Sequence, residues 1–131
     1  MNSEAKYIKW EPLEALPKRM YCEAMHNDYE GIRILLKGAE ESSPILRIKF
    51  ESVLAYRSID EGCLQRTLDK IKDREITPLY KVQNSDFLSW FHRESYDSYS
   101  DRELVHYAMF CQDEIIDVLS EFEPIIEWLN Y

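Results

Sequence analysis

Arg57, Asp60 and Glu61 fall together in the stretch RSIDEG, and His26, His92 and His106 are the only histidines of the chain. An arginine and carboxylates near an imidazole could hold a polar substrate and move a proton, so Arg57, Asp60, Glu61, His92 and His106 form one candidate pocket set. RSIDEG also has a structural reading. With Ser58 as a helix N-cap, Glu61 falls at N3 and S-I-D-E is a capping box, with Asp60 at N2 near the positive end of the helix dipole. Carboxylates at adjacent helical positions diverge rather than converge on one substrate, which favours the cap over a catalytic pair. Gly62 stays unexplained, because a glycine inside a helix costs on the order of 1 kcal/mol relative to alanine.

Other common chemistries lack their motifs. No two histidines have the spacing of metal ligands on one face, and there is no G-x-S-x-G elbow, Walker loop or dinucleotide fingerprint. No catalytic residue, metal or cofactor is therefore assigned. His106 shares strand parity with Leu104, Ala108 and Phe110 and reads as a hydrogen-bonded core or sheet-edge histidine. Cys22, Cys63 and Cys111 lie about 40 to 50 residues apart, match no redox or zinc spacing, and are expected as buried free thiols.

The elements that must position these groups follow from periodicity. The opening residues, with prolines at 12 and 17, suit a short helix over 13–16 that packs Trp10 onto the body. Strands are expected at about 19–26 and 31–37, joined by the turn NDYEG. Residues 45–57 alternate with a period close to two, with Leu46, Ile48, Phe50, Ser52, Leu54 and Tyr56 on one face and Arg57 on the polar one. Ile59, Cys63, Leu64, Leu68 and Ile71 then make one stripe of a helix running to about Lys72, followed by the charged loop KDREITP. LYKVQN reads as a strand ending at an N-cap, Asn84 or Ser85, and DFLSWFHRE as a helix with Phe87, Leu88 and Phe91 inward. ELVHYAMFCQ is apolar on both parities, as a strand covered on both faces should be, and pairs with IIDVLSEF in a hairpin. Pro124 suits the first turn of a terminal helix, PIIEWLNY. The sum is a single globular domain of 131 residues and class α+β: a largely antiparallel β-sheet with two helices packed on one face.

The net charge, 16 minus 25 or −9, is unevenly spread: residues 94–131 hold ten acidic side chains and only Arg102 as a base. An acidic surface repels phosphate backbones and attracts basic proteins, so no direct nucleic-acid binding is expected and a basic protein partner is. The contact set would be Tyr96, Asp97, Tyr99, Asp101, Glu103, Asp113, Glu114 and Asp117, tyrosines giving area at low entropy cost. No stretch approaches the roughly 20 apolar residues of a membrane span, and the start lacks a secretory signal, so a cytoplasmic protein without membrane contact is expected. A homodimer through a free strand edge is a further expectation.

The succession FESVLAYRSIDEG, YKVQNSDFLSWF and ELVHYAMFCQDEIIDVLSEFEP, from Ile45 onward, resembles a group of small bacterial proteins, some of them similar to immunity proteins of toxin systems. That resemblance implies a bacterial cytoplasmic source and a role in neutralising a toxin; it assigns no functional residue. Two readings follow: a non-enzymatic acidic module that docks a basic, nuclease-like toxin, and a small enzyme or ligand-binding protein with a His/carboxylate pocket between sheet and helices.

Overall fold

The computed structural model of the protein describes residues 5–71 and 77–129. The fold is α+β, with two antiparallel sheets and two helices. The strands are β1 (Lys6–Lys9), β2 (Tyr21–Asp28), β3 (Gly31–Lys37), β4 (Ile45–Phe50), β5 (Ala55–Asp60), β6 (Leu79–Gln83), β7 (Val105–Phe110), β8 (Glu114–Ser120) and β9 (Ile125–Leu129); the helices are α1 (Gln65–Ile71) and α2 (Asp86–Glu94). One sheet runs β1-β6-β7-β8-β5 and the other β2-β3-β4-β9.

The main core lies between the sheets. Alternate residues of β3 and β4 (Ile32, Ile34, Leu36, Leu46, Ile48 and Phe50) pack against Leu79, Tyr107, Met109, Ile116 and Val118 of the five-stranded sheet. The opposite face of that sheet carries both helices: α1 lays Ile71 on Tyr7, Tyr80, Val82 and Ala108, and α2 lays Phe87 against His106. The five-stranded sheet is thus covered twice, which is why β7 is apolar on both parities. Among the described residues no helix is long and apolar enough to cross a membrane.

Several expectations are corrected. Residues 45–57 are not one strand: the chain leaves β4 after Phe50 and enters the other sheet as β5, the Leu54 N–H bonding the Leu119 carbonyl at 3.0 Å. The bend resets the parity, so that Ala55, Arg57 and Ile59, not the even positions, are the less exposed side of β5. Ser58 is inside β5 and caps nothing; its hydroxyl donates to Glu114. Asp60 is the cap instead, of a single 3₁₀ turn over Glu61–Cys63, accepting the Gly62 N–H at 2.8 Å. A Cβ on Gly62 would stand 3.0 Å from that Asp60 oxygen, a tight contact that the capping carboxylate would have to relieve.

The segment after Pro124 is strand β9, paired with β4, rather than a helix. Residues 13–16 form a turn and no helix, although Trp10 and Leu13 do pack on the core. β1 had no sequence counterpart. Cys63 is exposed; Cys111 is buried and Cys22 half-buried, and burial pushes both of the latter thiols up, Cys22 to about 12. Lys72, residues 73–76 of the charged loop, and Asn130 and Tyr131 lie outside the described residues.

Candidate functional site

A chain of four polar side chains crosses the helix-covered face of the five-stranded sheet. Arg57 on β5 is directly opposite Asp117 on β8 and donates its Nε–H to Asp117 Oδ2 at 2.8 Å. Asp117 Oδ1 lies 2.6 Å from His106 Nε2 on β7, and His106 Nδ1 lies 2.6 Å from Ser85 Oγ. Ser85, His106 and Asp117 are 5%, 2% and 2% exposed. Burial alone would raise the Asp117 pKa, but the hydrogen bond and charge of His106, and then those of Arg57, outweigh it and hold the carboxyl below its ordinary value. With Asp117 ionised, Nε2 is the donor of their contact, and in the tautomer this selects, Nδ1 is left to accept from the Ser85 hydroxyl.

Local folding fixes each member. Asn84, at φ 54, turns the chain from β6 into α2. Ser85 follows as the N-cap, its Oγ accepting the Leu88 N–H at 3.0 Å. His106 is locked beneath α2 by the Phe87 ring, edge-on at 5.6 Å. The Arg57 guanidinium lies 4.3 Å from the centre of the same ring, on which it stacks as a cation.

Two cavities adjoin this chain. The larger, about 770 Å³, is a cleft lined by Ile32, Val53, Leu54, Ala55, Phe87 and Trp90, with Asn27, Tyr56, Arg57 and Asp86 as its polar groups. Phe87 and Trp90 stack at 5.8 Å with 16° between their planes and give the cleft an aromatic wall. The smaller, about 90 Å³, is lined by Tyr7, Arg66, Thr67, Ser85 and His106 among others, and shares Arg57, Asp86 and Phe87 with the larger. Two guanidiniums, Arg57 and Arg66, and one carboxylate, Asp86, line it, and a second carboxylate, Asp117, stands behind the lining, bonded to Arg57 and His106, so the nearby fixed charges are equal in number. Burial, with Asp117 nearby, pushes the Tyr7 phenol up.

Of the pocket set expected from sequence, only Arg57 and His106 are brought together, through Asp117. Asp60 closes β5 and Glu61 follows it in the 3₁₀ turn; Asp60 is taken up in its cap, and Glu61 lines a separate hollow. His92 is on α2 against Phe91, and its Nδ1 is buried without a hydrogen-bond partner among the described residues. Ser85 was legible as a cap but not as a partner of His106. Among the described residues no group of three or more His, Cys, Asp and Glu could hold a metal ion.

The acidic set is divided. Asp117 is buried and cannot meet a partner. Asp113 and Glu114 lie where β7 turns into β8, whereas Tyr96, Asp97, Tyr99, Asp101 and Glu103 precede β7, at the other end of the hairpin. Tyr99 packs on Phe91 at 5.4 Å, while Tyr96 is 95% exposed. Much of the C-terminal acidity is matched across strands, since Asp117, Glu123 and Glu127 pair with Arg57, Lys81 and Arg47 from the first 93 residues, and Glu121 pairs with Arg102.

Fold and site together define a two-sheet α+β protein with a buried Asp-His-Ser chain, extended by a half-exposed arginine, beside an apolar cleft. Compared with known proteins, the chain matches no family model, no curated protein and no solved structure.

Proposed function

We propose that the protein binds a small amphipathic molecule in the cleft between β5 and α2, with an aromatic or branched apolar body and an uncharged, carbonyl-bearing head. The observation that carries this reading is the 770 Å³ cleft itself, apolar and aromatic along its walls, with the Arg57 guanidinium where it meets the polar cavity. Asp117 engages only Nε of Arg57. The terminal nitrogens, which have no hydrogen-bond partner among the described residues, can donate to a carbonyl oxygen. The balanced charges around the small cavity favour a neutral head over a carboxylate. Ligand-observed NMR with phenylacetamide and phenylacetate tests the reading: the amide binds, the acid binds more weakly, and Trp90→Ala, a change at a half-exposed residue, weakens the amide at least tenfold. Amide binding that Trp90→Ala leaves unchanged would reject the cleft as the site.

A second reading, docking of a basic protein such as a nuclease-type toxin, keeps one specific support. Tyr96 stands free of the body in a left-handed conformation, φ 51, with exposed Asp97, Asp101 and Glu103 in the same loop. Calorimetry against a basic nuclease domain at low and high salt tests it; heat that is absent at low salt, or unaltered by Tyr96→Ala with Asp97→Lys, counts against it.

A further inference from the structure

We propose that Ser85, His106 and Asp117 form a nucleophilic triad that hydrolyses a carboxylic ester held in the cleft, an inference that rests on the cleft being a ligand site. The signature of an activated nucleophile is a hydroxyl within hydrogen-bond reach of a base that a third group orients. Here both links are 2.6 Å. A helix cap needs only the Ser85 oxygen and the Leu88 amide, and it does not require an imidazole on the far side of that oxygen. Nor does a cap require a buried carboxylate and a half-exposed guanidinium behind the imidazole, an arrangement in which the carboxylate must be taken out of water before pairing returns the cost. A hydrogen-bonded Ser, His and Asp buried beside a cleft is one mark of a reacting site.

The parts needed for the reaction lie around the small cavity. Ser85 and His106 both line it, next to Arg57 and Phe87, which also line the cleft. The Asp86 and Phe87 amides belong to the first turn of α2, where backbone N–H groups have no intrahelical acceptor and can meet developing negative charge. Ser85 Oγ attacks the ester carbonyl as its proton passes to His106 Nδ1. The carbon–oxygen bond to the alcohol then breaks, and Nδ1 returns the proton to the departing alkoxide, leaving an acyl-serine. Water attacks that acyl group, again losing a proton to Nδ1, and the proton returns to Ser85 Oγ as the acid leaves. The balance is ester plus water to acid plus alcohol, with no other reactant. Asp117, ionised and tied to Arg57, is a positioning residue that holds the ring with Nδ1 towards the serine.

The test uses a fluorophosphonate probe, which phosphonylates activated serines, together with turnover of p-nitrophenyl phenylacetate. The wild-type protein should take up one adduct, mapped to Ser85, and Ser85→Gly should lose the adduct and at least 100-fold in kcat/KM. Glycine preserves the helix N-cap almost as well as serine does, and the hydroxyl's contact with His106 is lost, so the variant is compared as folded protein, with retained phenylacetamide binding as the control. Asp117→Asn should lower kcat per folded molecule, counted by phenylacetamide-binding sites, with little change in KM, whereas a purely structural role would lower only the number of folded molecules. Wild-type protein that binds phenylacetamide but takes no adduct, or Ser85→Gly that turns over the ester as the wild type does, overturns the triad and leaves the binding site standing. Loss of both binding and labelling in the wild type overturns the two together.

Discussion

Asp117 accepts hydrogen bonds on both of its oxygens, from Arg57 Nε at 2.8 Å on one neighbouring strand and from His106 Nε2 at 2.6 Å on the other. One buried carboxylate therefore ties together β5, β8 and β7, and folding favours its ionised form.

The sign of the pH dependence follows. Asp117 has a folded pKa below the ordinary value, about 3.9 in an unfolded chain, so the unfolded state binds the proton first as pH falls. Its contribution is fully present above the unfolded value and is lost as pH drops through the folded one. Urea unfolding from pH 7 to pH 2 should show Asp117→Asn less stable at neutral pH by about 3 to 5 kcal/mol, as for a broken buried pair. The gap between the two proteins should narrow as pH falls, because only the wild type loses the contribution of an ionised carboxylate. Parallel curves would exclude Asp117 as the linked group.

Removing the Ser85 hydroxyl should cost stability twice. Ser85→Ala loses the N-cap, about 1 kcal/mol, and leaves a buried ring nitrogen of His106 unpaired, about 1 to 3 kcal/mol. A loss near 2 kcal/mol or more in equilibrium unfolding is expected, against under 0.5 kcal/mol for an exposed serine such as Ser89→Ala. Equal losses would show that the contact with His106 carries no stability.

Gly31 ends the β2–β3 turn at φ 101, where an added Cβ would stand 2.3 Å from the Phe50 carbonyl oxygen. Backbone cannot yield as a side-chain end can, and the conformation is itself strained for alanine. Gly31→Ala should lower Tm by several degrees, while Gly62→Ala, which meets only the Asp60 carboxylate at 3.0 Å, should lower it far less.

Thiol titration should separate the cysteines. Cys63 is exposed, and Cys111 is buried with its thiol pushed up. A disulfide reagent at pH 8 should modify Cys63 first in native protein and all three cysteines after unfolding. Fast native reaction that survives Cys63→Ser would contradict the placement of the 3₁₀ turn.

What was legible in the sequence was local. The α2 cap and its helix, the β2–β3 and β7–β8 hairpins and the doubly covered strand β7 all follow from patterns a few residues long. The misses share a cause, contacts between distant segments. Arg57 was assigned to the polar face by carrying the β4 parity through a bend that local periodicity does not mark. β9 has five residues, too few to distinguish strand from helix, and is made a strand by β4, which lies over 70 residues earlier. Asp117 did leave a trace: in IIDVL a lone carboxylate sits among apolar residues of a covered strand, and such a group must find a buried partner. Net charge over the acidic segment does not carry that signal, nor does it show the bases that Glu123 and Glu127 meet on other strands.

The pairing of Ile45 with Leu129 also imposes an order on synthesis. β3 and β4 can join as soon as they emerge, but the second edge of β4 has no mate until β9 is made. At roughly 5 to 20 residues per second, the ribosome leaves that edge bare for several seconds or more. During that interval the nascent chain offers an apolar template to any other unpaired strand. Slow, long-range closure of this kind is where a chaperone or a pause in translation would have most effect on yield.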